Sequence, residues 1–224
     1  MKILALDTSG DACSVALYDA AAHRLLAEKH TLIERGHAEL LFSQIEQVTG
    51  VADVSLKSVD RFAVTTGPGT FTGVRIGLSA ARGLALAARK PLIGVGSLEA
   101  VAHGALAPEG NPIVAALDAR RGEIYFQAFK NGEPILDPIA ATPRDAAVIL
   151  ARQAKSAQLL VIGTGASELH AALVSLGQSA EIAAGETLPR ASVVARMAAS
   201  RAPAEKPVMP LYLRAPDAKL PAGA

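Results

Sequence analysis

Two aspartates in matching surroundings are the residues of this chain best placed for phosphate or metal chemistry. Asp7 ends the apolar run in KILALDTSGD, and Asp118 ends a second apolar run in IVAALDARRG. A carboxylate at the end of a buried strand can orient a metal-bound water, and small hydroxyls in the following turn can contact phosphates. The candidates for half of a nucleotide site are therefore Asp7, Thr8, Ser9 and Asp118. The alternative is that each carboxylate only anchors its turn by accepting hydrogen bonds from backbone amides.

The second turn suits a phosphate less well than the first. DARRGE places the bulky Arg120 and Arg121 where a phosphate-binding turn favours glycine and a hydroxyl. Further along, GTGAS contains Gly163 and Gly165. These glycines could leave room for an adenosine to lie against the backbone, or they could simply form a turn that connects a strand to a helix. These features disfavour an intact ATP-hydrolysing site and leave weak or vestigial ATP or ADP binding open. A small kinase or ATPase that uses the two aspartates is kept as an alternative hypothesis.

A third glycine-rich stretch, TTGPGTFTG, leads into an alanine-rich run within residues 65–88. Its glycines at positions 67, 69 and 73 miss the dinucleotide-binding spacing by one residue, and it lacks the lysine of a P-loop. The pattern favours a tight turn into a helix that is capped by Thr70 or Thr72. Small residues then recur at every fourth position, namely Gly73, Gly77, Ala81 and Ala85. Such a stripe lets the chain's own sheet or another subunit pack closely, so it favours structural or interface use over phosphate binding.

The elements that position these residues follow from hydrophobic periodicity. Apolar and polar residues alternate on both sides of TSGD, which predicts a hairpin over residues 2–19. The same reasoning predicts further strands at 24–33, 61–66 and 90–95, with helices at 37–48 and 72–88. Together these elements make one mixed α/β lobe.

The second half of the chain repeats this organisation. After the turn-rich PEGNP, residues 113–132 show the same order of apolar strand, LD, polar turn and alternating strand, which indicates an internal duplication. Helices over 144–154 and 192–202 and a strand with its turn over 159–167 complete this half. The predicted domains are an N-terminal lobe over residues 1–107 and a C-terminal lobe over 108–224. The last residues of the proline-punctuated tail are expected to be loosely ordered.

Composition excludes several classes of function. Lys and Arg number 22 against 21 Asp and Glu, so the net charge of +1 provides no basic field for nucleic acid, and an RNA partner would need another subunit. The single cysteine, Cys13, and the short apolar run at the start predict a cytoplasmic protein without a signal peptide. No apolar run is long enough for a membrane span. The 5 histidines show no metal-ligand spacing, and no G-x-S-x-G nucleophile elbow is present.

The motifs taken together carry a resemblance to a known family. KILALDTSGDACSVAL, TTGPGTFTGVRIGLSAARGLAL, LIGVGSLEAVA, LDARRGEIY, VIGTGA and PLYLR occur in this order and cover nearly the whole chain. This arrangement resembles the bacterial TsaB (YeaZ) family, and the GPGTFTGVRIG block is specific to that family and its paralogue TsaD. The resemblance implies a duplicated α/β fold of the actin-like (ASKHA, ribonuclease H-like) type, with two lobes and mixed sheets flanked by helices.

The resemblance also implies a function. The family takes part in making threonylcarbamoyladenosine beside the anticodon of tRNA, as a non-catalytic dimerisation subunit for TsaD. The implied partners are TsaD, the ATPase TsaE and a second copy of the chain when it is alone, with tRNA contacted only through the complex. Where the catalytic paralogue carries His-x-x-x-His for its metal, this chain has Ser97 and Val101, and neither is a useful ligand. A metallopeptidase, the third hypothesis, is disfavoured for the same reason.

Family resemblance places the partner interface on the helices near 37–48 and 72–88, as a helical bundle with a second copy or with the catalytic paralogue. The candidate contacts are Leu41, Ile45, Gly73, Gly77, Leu78 and Ala81. In this hypothesis the glycine-rich loop positions a helix whose small face receives the partner.

Overall fold

The computed structural model describes residues 1–106, 108, 110–154, 157–203 and 206–214. The strands are β1 (Lys2–Gly10), β2 (Ala12–Asp19), β3 (Arg24–Leu32), β4 (Arg61–Thr65), β5 (Leu92–Val95), β6 (Ala105–Leu106), β7 (Ile113–Asp118), β8 (Ile124–Lys130), β9 (Glu133–Pro134), β10 (Ile139–Ala141), β11 (Leu159–Ile162), β12 (Ala180–Ile182) and β13 (Ala184–Gly185). The helices are α1 (His37–Val51), α2 (Phe71–Ala88), α3 (Ser97–His103), α4 (Pro143–Ala154), α5 (Ala166–Ser175) and α6 (Ala191–Ser200).

The first sheet has the strand order β3-β2-β1-β4-β5. β1, β2 and β3 are successive antiparallel neighbours, whereas β4 and β5 run parallel to β1. Because side chains alternate across a strand, β1 sends Leu4 and Leu6 to one face and Ile3 and Ala5 to the other. The first pair packs under α1 and α2, and the second pair packs under α6. Both faces of β1 are therefore buried, which explains its nearly continuous apolar sequence.

The second sheet repeats this arrangement in the order β10-β8-β7-β11-β12, with the short β9 paired to β8. β7 and β8 form the antiparallel hairpin, and β11 and β12 run parallel to β7. Val114 and Ala116 of β7 face α4 and α5, whereas Ala115 and Leu117 face α3. The duplication predicted from the two LD hairpins is confirmed, because both sheets build the same order of strands around an equivalent central hairpin.

The two lobes exchange a helix, which the predicted domain limits do not anticipate. The division between residues 107 and 108 separates the strands of the two sheets. However, α3 precedes this division and packs on the second sheet, while α6 follows it and packs on the first. Each sheet has one face covered by its own two helices, so the exchanged helix supplies the apolar cover for the opposite face.

The chain after α6 contributes to the fold as an extended segment. Residues 206–214 run along the first lobe and reach the second, as the hydrogen bonds of Leu211 and Arg214 show. The loosely ordered tail expected from the prolines falls on positions 215–224, which lie outside the described residues. In the part of the chain that the structure describes, no helix combines the length and the apolar character that a membrane span needs.

Candidate functional site between the lobes

A cleft of about 360 Å³ separates the two lobes. Its walls include the turn between β1 and β2, the loop before α2, the turn after β7 and the extended segment after α6, together with parts of β8, the turn after β11 and the chain before α6. The lining residues include Ser9, Gly10, Asp11, Gly69, Thr70, Phe71, Asp118, Arg120, Tyr125, Thr164, Tyr212 and Arg214. The turns of both hairpins therefore line the same cleft. The two turns hold equivalent positions in the duplicated lobes, and the lobes face each other across this cleft.

Asp7 is absent from this lining because its carboxyl group is fully buried. Its Oδ1 accepts hydrogen bonds from the Ser9 amide (3.2 Å), the Ser9 hydroxyl (2.6 Å) and the Thr65 hydroxyl (2.5 Å). Its Oδ2 is buried without a hydrogen-bond partner among the described residues. Burial raises the pKa of Asp7, and the three hydrogen bonds oppose this shift only in part. The carboxyl group anchors its own turn, which is the simpler of the two roles considered for it.

The hydroxyls near Asp7 are also committed within the chain. Thr8 donates to the Gly73 carbonyl at 2.7 Å, which ties the first turn to the start of α2. Ser97, at the start of α3, donates to the Ser9 hydroxyl at 3.0 Å. Ser9 lines the cleft but is buried, and Thr8 does not line it. Asp7 and Ser9 therefore belong to one internal hydrogen-bond network with Thr65 and Ser97, and Thr8 is bonded separately to the start of α2.

Asp118 does reach the cleft, where an arginine neutralises it. Its Oδ1 accepts the Arg120 amide at 2.7 Å, and the Arg120 guanidinium lies 3.5 Å from its Oδ2. The same guanidinium bonds to Asp11 of the first lobe at 2.7 Å. Arg120 and Arg121 have φ angles of 63° and 59°, a left-handed conformation that is uncommon for residues other than glycine. Arg120 thus bridges the two turns across the cleft.

The glycines of GTGAS serve packing against β7. Gly163 has a φ of 116°, and a Cβ there would collide with the Ala116 backbone. A Cβ on Gly165 would lie 2.7 Å from Ile124 Cγ2. Thr164, between them, lines the cleft and accepts the Asp118 amide at 2.9 Å, and no sequence signal singled it out. Gly165 and Thr164 also line a neighbouring open cavity of about 340 Å³.

The residues predicted as partner contacts are buried within this chain. Leu41, Ile45, Leu78 and Ala81 are at most 2% exposed and belong to the core under α1 and α2. A Cβ on Gly77 would lie 2.6 Å from Thr8 Oγ1, and one on Gly73 would collide with the Thr8 carbonyl. The stripe at Gly73, Gly77 and Ala81 therefore packs on the chain's own sheet, and Thr70 caps the helix by accepting the Gly73 amide at 3.2 Å.

A second set of small residues lies on the opposite side of α2. Ser79, Gly83 and Ala87 also recur at every fourth position, and all three are exposed. A Cβ on Gly83 would meet no atom within 4 Å. Leu86 beside them is 81% exposed, and Phe42 on α1 is 53% exposed. We call the exposed surface of these two helices the α1–α2 face; it comprises Phe42, Ser43, Glu46, Gln47, Ser79, Gly83, Leu86 and Ala87.

The two positions that correspond to metal ligands in the catalytic paralogue are also internal. Ser97 is fully buried beside Ser9, and Val101 packs between α3 and the second sheet. Across the described part of the chain, no group of three or more His, Cys, Asp or Glu side chains could hold a metal ion.

Comparison with known proteins adds independent information. The family model for TsaD, described as tRNA N6-adenosine threonylcarbamoyltransferase, matches residues 29–155. The tRNA threonylcarbamoyladenosine biosynthesis protein TsaB of Escherichia coli is 40% identical over 134 residues, which are 59% of this chain and 57% of that protein. An uncharacterized protein of Mycobacterium tuberculosis is 32% identical over 217 residues, covering 97% of this chain and 93% of its own.

Solved structures show the same relationship. YeaZ from Pseudomonas aeruginosa superimposes with a TM-score of 0.72 at 30% identity, covering 95% of this chain and 99% of that one. Component A of (R)-2-hydroxyglutaryl-CoA dehydratase from Acidaminococcus fermentans, at 11% identity and a TM-score of 0.52, shares the fold alone.

Two lobes of one topology that meet at a cleft define a protein of the actin-like (ASKHA) class, which is the fold that the family resemblance implied. The matches in sequence and structure narrow this class further. The chain belongs to the TsaB (YeaZ) family, which is related to TsaD. The matching segments span about half of the curated relatives, 57% of the Escherichia coli protein and 52% of its Haemophilus influenzae counterpart.

Proposed function

We propose that this chain is a non-catalytic subunit that supports TsaD in transferring threonylcarbamoyl to N6 of the adenosine next to the tRNA anticodon. The process is suggested by the TsaB proteins that the chain resembles and by the TsaD family model. The observation that carries the non-catalytic role is the state of Asp7. A carboxylate that orients a metal-bound water must reach the substrate, whereas this one is buried under its own turn.

The rest of the cleft supports the same proposal. Asp11 and Asp118 both face Arg120, whose positive charge disfavours a metal ion between these two acidic groups of the cleft. The kinase or ATPase hypothesis requires Asp7 and Asp118 to act together, and the two carboxyl groups lie in different environments, one internal and one on the cleft wall.

The docking surface in this proposal is the α1–α2 face, which replaces the buried residues first considered. Close packing of helices needs small side chains at the crossing point, and Ser79, Gly83 and Ala87 provide them on α2. Leu86 on α2 and Phe42 on α1 add exposed large apolar groups to the two helices, of the kind found at the centre of protein interfaces. The partner proposed for this face is TsaD, and a second copy of the chain occupies it when TsaD is absent. The ATPase TsaE and tRNA then join through the complex.

The test is reconstitution from purified components. TsaD, TsaE, tRNA, ATP and the threonylcarbamoyl donor are assayed with and without this chain, and threonylcarbamoyladenosine is measured by mass spectrometry. We expect no product from the chain alone and a strong dependence of TsaD activity on its presence. Product that forms equally well without the chain would contradict the supporting role. Steady ATP hydrolysis by the purified chain would instead favour the kinase or ATPase hypothesis.

A further inference from the structure

The extended segment over residues 206–214, called the strap below, lies along the first lobe and forms one wall of the cleft. The Leu211 amide donates to the Thr66 carbonyl at 2.8 Å, and the Arg82 guanidinium donates to the Val208 carbonyl. The strap is therefore held to the first lobe by its own backbone as well as by side chains.

Two glycines leave room for this contact. A Cβ on Gly67 would lie 2.8 Å from the Leu211 carbonyl oxygen, and one on Gly94 would lie 2.7 Å from Val208 Cγ1. The loop before α2 and strand β5 are thus shaped to accept the strap directly against their backbones.

The aromatic ring of Tyr212 fastens the strap at the edge of the cleft. Its centroid lies 5.2 Å from that of Phe71, the first residue of α2, and its hydroxyl accepts Arg75 Nε at 2.8 Å. The Arg75 guanidinium stacks 3.7 Å above the Phe71 ring. Stacked rings with a charged hydrogen bond make a defined anchor on the first lobe.

The next anchor belongs to the other lobe. Arg214 donates to the Ala119 carbonyl at 2.8 Å, pairs with Glu123 and lies 5.9 Å from the centre of the Tyr125 ring. Two residues of extended chain span at most about 7 Å, so the Tyr212 and Arg214 anchors cannot move far apart. The lobes therefore cannot separate at this edge of the cleft unless one anchor releases.

We propose that the strap is an interlobe clamp: it holds the two lobes in one relative position, and the cleft opens only when the Tyr212 or the Arg214 anchor detaches. A second side-chain bridge across the cleft, the Arg120–Asp11 ion pair, is more exposed, with side chains 64% and 44% accessible. Ion pairs with that much exposure contribute little in water. The Arg214 hydrogen bonds of the strap are partly buried, so the strap adds to the packing of the exchanged helices and fixes the lobes at this edge of the cleft.

The test measures the distance between the lobes in the full-length chain. Spin labels are attached to the double variant Ala22→Cys and Ser175→Cys, which places one label on an exposed position of each lobe. Native Cys13 is buried, and burial raises its pKa to about 12, so it stays unlabelled. Pulsed electron paramagnetic resonance then gives the distribution of distances, and circular dichroism checks folding.

The strap is released by Tyr212→Ala combined with Arg214→Ala, and Arg214→Ala alone serves if the pair fails to fold. With the strap unmodified, we expect one narrow distribution of distances between the two labels. After release of the strap, the fraction of molecules with longer distances should rise at least about tenfold. Arg152→Ala, on an exposed position of α4, is the matched control and should keep the narrow distribution. Arg120→Ala should also keep it. Unchanged distances after strap release, or equal broadening by Arg120→Ala, would overturn the clamp.

Discussion

Replacing Gly83 by leucine tests which of the two stripes of small residues on α2 faces a partner. This replacement should stabilise the isolated chain, whereas the matched replacement of Gly77 should destabilise it. Gly83 is exposed, and a Cβ there meets no atom within 4 Å. Leucine in a helix interior is favoured over glycine by about 1 kcal/mol. For a chain of this size that gain raises the melting temperature by about 2–4 °C. The isolated chain should therefore become slightly more stable.

Pairing should weaken at the same time. A leucine at a close helix crossing causes an overpacking cost of about 1–3 kcal/mol, which raises Kd for TsaD about fivefold to 150-fold. A symmetric pair of this chain meets the clash twice, so its dissociation constant should rise roughly 25-fold or more. Sedimentation analysis measures self-association, and calorimetric titration measures binding to TsaD.

Gly77→Leu is the matched control on the buried stripe. Its Cβ would lie 2.6 Å from Thr8 Oγ1 and 3.5 Å from Val64 Cγ2, so the side chain enters a closed core. An overpacking cost of about 3 kcal/mol, less the helix gain of about 1, lowers the melting temperature by about 4–8 °C. Normal pairing of Gly83→Leu with TsaD would refute the α1–α2 face as the docking surface. An unchanged melting temperature of Gly77→Leu would refute the internal assignment of the first stripe.

Three further predictions concern the internal site. The pKa of Asp7 is raised from 3.8 in the folded chain, so the folded state holds the carboxyl proton more tightly than the unfolded state does. The protonated carboxyl group therefore adds to the stability of the fold below pH 3.8, and this contribution is lost as the pH rises through the pKa of the folded state. Asp7→Asn should therefore gain stability relative to the wild type between pH 4 and pH 7 in urea titrations, and a constant difference would contradict this. Gly163→Ala should lower the melting temperature by several degrees, since its φ of 116° and the Ala116 backbone both exclude a side chain. Gly122→Ala is the matched control, because Gly122 also has a positive φ, 74°, but a Cβ there meets nothing within 4 Å, so it should cost less. Cys13, with a pKa near 12, should resist iodoacetamide at pH 8 until the chain unfolds; rapid alkylation of the folded protein would show that the site opens.

Several elements of the fold were accessible from local patterns. The alternation around TSGD and DARRGE predicted both hairpins, and helical spacing predicted α1, α2, α4 and α6 within a few residues of their observed bounds. The helix α3 was not predicted, and α5 was foreseen only as one of two alternatives for GTGAS, the strand-to-helix turn. Both begin directly after a glycine that follows a buried strand, Gly96 for α3 and Gly165 for α5.

The sequence by itself determined the duplication, the family and the lack of ligand residues at Ser97 and Val101, because these depend on residue types and their order along the chain. Only the tertiary structure decided which small stripe of α2 is buried, since Gly73–Gly77–Ala81 and Ser79–Gly83–Ala87 have the same spacing. The buried side is the one that also carries Val74 and Leu78, whose transfer from water outweighs any preference among the small residues. The exchange of α3 and α6, the burial of Asp7 and the path of the strap likewise depend on contacts between residues far apart in the chain, which periodicity along the sequence does not encode.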